Sequence, residues 1–374
     1  MSSQELGVRG QEASPTTLLI GTTKGLVVFK KNNTEWILEK VHFLGMSISV
    51  VYNDPVNNVW WVSISHHHWG QKLQYSQDQG TTWKTIGTPK YPSDTILQSG
   101  KPATLKKIWS IQQGGISYPN RIWIGTEPGG LFLSEDYGDT FQLVTSLWNH
   151  PSRMNRQQWF GTGRSGPYIH SIVIDPREES HLYIAVSCAG IFESLDSGAS
   201  WMPKNKGLIA AYLPNPEAEI GHDPHLLLAC HSAPTILWQQ NHCGIFRTEN
   251  GGTVWKNVTD TQGIANYGFA LAIDHDNPNR AWVIPATSDE IRVAHDLALA
   301  VCYTDNAGKT WQAYRNGLPQ QNSFDIVFRH AFDRKTETLA FGTTTGNVYL
   351  SEDDGKNWQP LTHTLSRIDC VVLV

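Results

Sequence analysis

Short apolar runs alternate along the chain with clusters of Gly, Pro, Asn and Asp, the rhythm of many brief strands joined by turns. Residues 168–201 show it best. Apolar stretches at 168–174, 181–187 and 190–193 predict three strands, and a fourth starts near Trp201. The first stretch ends in an Asp175-Pro176 turn. Asp-Pro pairs recur at Asp54-Pro55 and Asp223-Pro224, with Asp274-His-Asp-Asn-Pro278 as a longer version, and each is expected to make the same turn.

Between the third and fourth strands of these units the chain repeats one motif, S/T-x-D/N-x-G-x-T-W. The copies are Ser76-Gln-Asp-Gln-Gly-Thr-Thr-Trp83, Ser134-Glu-Asp-Tyr-Gly-Asp-Thr-Phe141, Ser194-Leu-Asp-Ser-Gly-Ala-Ser-Trp201, Thr248-Glu-Asn-Gly-Gly-Thr-Val-Trp255, Thr304-Asp-Asn-Ala-Gly-Lys-Thr-Trp311 and Ser351-Glu-Asp-Asp-Gly-Lys-Asn-Trp358. The hydroxyl and the Asx side chain suit a tight turn, Gly supplies a backbone shape other residues resist, and the aromatic tucks beneath. The motif therefore explains folding and not catalysis. Six copies at blade-like intervals imply a radial repeat fold. A seventh unit without the motif precedes them, with its outer strand at Trp36 and the run Leu18-Leu-Ile-Gly-Thr-Thr-Lys-Gly-Leu-Val-Val-Phe29 before it. That unit lacks a first strand, and the chain ends in the unpaired run Ile368-Asp-Cys-Val-Val-Leu-Val374. The expectation is an all-β, seven-bladed β-propeller of four antiparallel strands per blade, closed by the C-terminal strand completing the first blade. Residues 1–15 are read as a flexible tail and 16–374 as one domain.

Composition narrows the partners. The net charge of −5 and the lack of a long basic run argue against nucleic acid and anionic membranes. No apolar stretch approaches the roughly 20 residues of a membrane span, and the first residues do not read as a secretory signal. Five scattered cysteines without a C-x-x-C suggest reduced thiols in a cytoplasmic protein.

The repeated box resembles that of the BNR, or Asp-box, superfamily of WD40/YVTN-like propellers, and the likeness covers nearly the whole chain. Proteins with similar boxes include sialidases, xyloglucan-cleaving glycosidases, sortilin-type receptors and a photosystem II assembly factor. The resemblance implies a propeller of sialidase-like or glycosyl hydrolase-like type. The chain departs from true sialidases: Gly25-Leu-Val-Val-Phe-Lys30 stands where they carry Arg-Ile-Pro. Of the three arginines they need, only Arg164 and Arg367, with Arg292 on a loop, are expected near the channel top.

In a four-stranded blade the motif turns share the bottom face, so function is expected on the loops of the other face. The chemically dense segments there are Ser65-His66-His67-His68-Trp69, the long stretch holding Arg164, Tyr168 and His170, a predicted loop of residues 231–244 with His231, Trp238, Asn241 and His242, and residues 287–296 with Asp289, Glu290 and Arg292. Their mix of rings, amides, imidazoles and acids suits a hydroxyl-rich ligand. For glycoside cleavage the carboxylates expected to act are Asp325, then Asp289 and Glu290, with Glu127, Glu217 and Glu219 as further candidates. His222-Asp-Pro-His225 is read as part of a bottom turn. The histidines are expected to be hydrogen-bonded loop residues, with no metal and no cofactor; a metal set would draw on His66, His68, His170, His231 and His242. The leading expectation is an enzyme of glycoside hydrolase type acting on a carbohydrate-like molecule. A non-catalytic scaffold for a protein partner and a metal-dependent hydrolase or lyase are the alternatives.

Overall fold

The computed structural model describes residues 13–66, 68–155, 158–160 and 166–374. These form seven antiparallel sheets of four strands each. Numbered from the N-terminus, blade one holds Thr17–Thr22, Gly25–Asn32 and Glu35–His42, with Ile368–Leu373 as its innermost strand. Leu18 pairs with Leu373 and Ile20 with Val371, and the amides of Thr16 and Thr17 donate to the Val374 carbonyl. The expected closure by the C-terminus is therefore observed. The seven innermost strands neighbour one another in a ring: Ile368–Leu373, Ser47–Asp54, Lys107–Gln113, Ile169–Asp175, Pro224–Cys230, Gly268–Ile273 and Phe332–Lys335.

Each box is tied as its residue types predict. In blade four, Ser194 Oγ accepts from the Gly198 amide at 2.8 Å and donates to Asp196 Oδ1, which also accepts from the Ser200 amide. Gly198 has φ +82°, and a Cβ there would meet the Trp123 ring at 3.1 Å. Some of the box aromatics reach further than their own blade. Trp255 Nε1 donates to the Lys204 carbonyl of blade four at 2.8 Å, and Trp311 Nε1 to the Val258 carbonyl of blade five at 2.7 Å. These boxes thus staple neighbouring blades while burying indole surface, worth roughly 3–5 kcal/mol per fully buried Trp on truncation. Blade one replaces the box with a two-residue hairpin between Asn32 and Glu35, where Asn33 takes φ 56°.

The insertions lie on the opposite face from the boxes. The longest connect blades two to three (87–106), three to four (144–168), four to five (204–223) and six to seven (315–331), followed by the link between the two middle strands of blade six (286–300). That asymmetry points to the mouth above blades three to seven.

One expectation about blade five fails. Residues 231–244 are not a loop: Ala233–Asn241 is a strand, and only His242 and Cys243 form its top turn. His231 lies in the bottom turn, stacked on His275 with ring centroids 3.9 Å apart. Trp238 is fully buried in mid-strand, its Nε1 donating to the Pro278 carbonyl. Conversely, Asp223-Pro224 is not a bottom turn. It opens the innermost strand Pro224–Cys230 at the top, and Cys230 takes the bottom place that Asp54, Asp175 and Asp274 hold elsewhere. A shared dipeptide hid opposite positions in the strand.

Candidate functional site

Strand register gathers one cluster at the mouth. Pro224 pairs with Asn241, so the turn residue His242 falls beside Asp223, and the His242 amide donates to the Asp223 carbonyl at 2.9 Å. Asp223 and His225 are two apart on an extended strand and share a face. From blade six, the loop 286–300 brings Asp289 to the same place, with its Oδ2 3.4 Å from His242 Nε2. His242 Nδ1 lies 3.8 Å from Asp223 Oδ2, and His225 Nε2 lies 3.6 Å from it. Asp223, His225 and His242 each offer one ligand atom within 4.8 Å of the others.

Each member is held from behind. Asp223 Oδ1 accepts from Ser187 Oγ at 2.7 Å and from the Cys188 amide at 3.1 Å. His225 Nδ1 sits 2.6 Å from the Gly268 carbonyl. A carbonyl only accepts, so Nδ1 carries the hydrogen and Nε2 of the neutral ring is a lone pair. The His225 ring stacks on Phe269 at 4.5 Å, and Tyr212 and Tyr267 meet His242 edge-on. Burial works against the Asp223 carboxylate, but contact with His225, the charge of Arg329 and the Ser187 hydroxyl hold it well below its ordinary range. Burial also lowers His225, against the pull of the Asp223 charge. Burial pushes the Tyr267 hydroxyl up to about 12.

The other expected residues scatter. Arg292 joins the cluster's rim, its Nε donating to the Asp289 carbonyl and its guanidinium 5.5 Å from the Phe269 ring. Glu290 is exposed on the same loop. Asp325 sits at the top of blade seven, bound by Ser323, Thr345 and Asn347, and braces two loops there. Tyr168 stacks on Trp109 at 4.2 Å and accepts from Arg329 Nη2. His170 is buried, its Nε2 donating to the Pro224 carbonyl; burial and the Arg329 charge hold its pKa well below the ordinary imidazole value. Asn241 accepts from the Cys243 amide and donates to Gln239. On blade two, His66 Nδ1 accepts from the amides of His68 and Trp69, and the Trp69 ring is 73% exposed. Among the further acids, Glu127 accepts from Trp109 Nε1, and Glu219 from the Asn205 amide. Arg164 and His67 lie outside the described residues.

The residues missed from sequence are Asp223, His225, Tyr212, Tyr267, Phe269 and Arg329. The signal for the first pair was present as D-x-H at the start of a strand. Arg329 is buried against the rings of Trp109, Tyr168 and Phe269, a placement only the closed ring creates. An open groove of about 620 Å³ also lies between residues 92–100 and 143–154. Among the described residues Asp94 is the one carboxylate in its wall.

The BNR/Asp-box repeat family matches residues 74–85, the first of the six boxes. The chain is a seven-bladed propeller that carries this repeat. It is 22% identical over 273 residues to an oligoxyloglucan-reducing end-specific xyloglucanase of Emericella nidulans, covering 64% of this chain and 30% of that protein. The propeller thus spans less than a third of the xyloglucanase's length. Among solved structures, an ancestral GH74 enzyme superposes with TM-score 0.58 at 15% identity, over 93% of this chain and 40% of the other. YCF48 bound to D1 peptide does so with TM-score 0.52 at 14% identity, over 94% and 85%. At these identities the structures share the fold. No helix among the described residues is long and apolar enough to cross a membrane.

Proposed function

We propose that the mouth above blades four to six is a hydrolytic site for a sugar-like, polyhydroxylated substrate. One observation carries the reading: two carboxylates, Asp223 and Asp289, lie against opposite nitrogens of one imidazole, His242. Glycoside cleavage generally uses two carboxyl groups on either side of the scissile bond. Asp223, buried and ionised, supplies a fixed negative charge toward positive charge gathering at the reacting centre. Asp289 has a 47% exposed side chain and stands where a leaving group meets solvent, so it handles the proton with His242 as its partner. Tyr212 and Tyr267 give the apolar edges on which sugar rings rest. The likeness to a xyloglucanase supports this substrate class. Asp325 and Glu290 stand outside this pair.

The test is turnover on a panel of chromogenic glycosides and xyloglucan oligosaccharides. Wild type should cleave at least one, and Asp289→Asn should lose about 10²–10⁴-fold, the range of a general acid–base group. Unchanged turnover in Asp289→Asn contradicts the assignment. No turnover on any substrate favours a second reading, a binding module. That reading draws on two observations: the neighbour bound to a peptide, and the outer strand Glu35–His42 of blade one, which exposes Ile37, Leu38 and Val41.

A further inference from the structure

We propose that Asp223, His225 and His242 hold a divalent transition-metal ion of the zinc class at the mouth of the channel. The proposal shares its place with the hydrolytic reading but does not depend on hydrolysis. It stands on three features of the geometry.

The first is convergence. Asp223 Oδ2 lies 3.6 Å from His225 Nε2 and 3.8 Å from His242 Nδ1, with the set spanning no more than 4.8 Å. A triangle of these sides has its centre at most about 2.4 Å from each corner. Zinc bonds to nitrogen and oxygen are roughly 2.0–2.2 Å, so a small inward movement of the part-exposed His242 ring closes the site. Two imidazoles and one carboxylate are a donor set for zinc and for ferrous iron, and leave positions open for water or a substrate hydroxyl.

The second is the outer shell. In a metal site each ligand's other polar atom is held by a neighbour, which fixes tautomer and aim. Two ligands meet this condition through hydrogen bonds, and the third through an ionic contact at 3.4 Å. Asp223 Oδ1 is taken by Ser187 and Cys188, His225 Nδ1 by the Gly268 carbonyl, and His242 Nε2 by Asp289. The atoms left over are the three that converge.

The third is aim: the Gly268 carbonyl takes His225 Nδ1, so the ring's Nε2 is the atom turned to Asp223 Oδ2, 3.6 Å away, and a cation between the two would be bound by both. The blade-two histidines do not offer this: His66 already accepts two backbone amides through Nδ1.

The experiment is zinc titration of the untagged full chain, stripped with chelator, by calorimetry, with metal content read by elemental analysis. The expected result is one site per chain with a dissociation constant in the micromolar range or tighter. His242→Gln and Asp223→Asn should each weaken it at least 10-fold, while a His66→Gln/His68→Gln double variant binds as wild type. Cobalt should give the visible absorption of a low-coordinate nitrogen and oxygen site in wild type and lose it in His242→Gln. Melts of the metal-free variants matching metal-free wild type show that they fold. Absence of stoichiometric binding in wild type overturns the proposal, as does loss of binding only in the blade-two variant. Zinc bound at this site without turnover on any glycoside leaves the metal site standing and removes the hydrolase.

Discussion

The two faces of this propeller are built by opposite rules. On the bottom, six boxes of local sequence satisfy themselves within eight residues, as Ser194, Asp196, Gly198 and Ser200 show. On the top, the cluster at Asp223 draws its members from blades four, five and six, and no two blades contribute alike. Self-satisfied turns secure the fold. Groups satisfied only by distant partners, and incompletely, are where chemistry is expected.

That contrast can be broken by substitution. The largest effect belongs to neither face: removing residues 368–374 takes the innermost strand from blade one and reopens the ring. The truncated chain should lose its cooperative thermal transition; a melt like that of the full chain contradicts closure. Next, Trp255→Ala removes a buried indole and its staple to blade four, with an expected loss of about 3–5 kcal/mol in denaturant unfolding. Ser194→Ala strips one box of its central acceptor and should cost about 1–2 kcal/mol without altering the top face.

A pH series sharpens the comparison. Burial opposes the Glu193 carboxylate, but bonds from His181 and Lys204 lower it to about 2. A depressed acid stabilises the fold above its ordinary value near 4.5, and the contribution fades as pH falls towards 2. Glu193→Gln should therefore be less stable than wild type at pH 7 and equal to it near pH 2. An equal gap at both values contradicts the pairing. The smallest stability effect is expected on top: Asp289→Asn, on an exposed loop, should change unfolding by less than about 0.5 kcal/mol while removing activity. A large destabilisation would make Asp289 a structural residue like those of the boxes.

The same division decides how much the sequence reveals. Box spacing specifies six blades, because each box is local and its interval is a blade's length; the strand run before Trp36 adds the seventh, and the apolar run 368–374 supplies the clasp. Asp289, Arg292 and His242 were legible as candidates because they stand on or beside a top turn. Asp223 and His225 were not, since Asp223-Pro224 copies the bottom dipeptide of other blades while opening a strand at the top. His231 and Trp238 were misplaced for the converse reason: a run rich in polar residues turned out to be a buried strand. Arg329 gains its meaning from rings of three other blades.

The most direct test of the central claim is hydrogen–deuterium exchange of the full chain with and without a saturating mixture of xyloglucan oligosaccharides. The account predicts slowed exchange confined to peptides covering 205–225, 240–244, 266–270 and 286–296. Protection on the outer strand of blade one or at 66–69 instead, or none anywhere, would contradict a sugar site at this mouth.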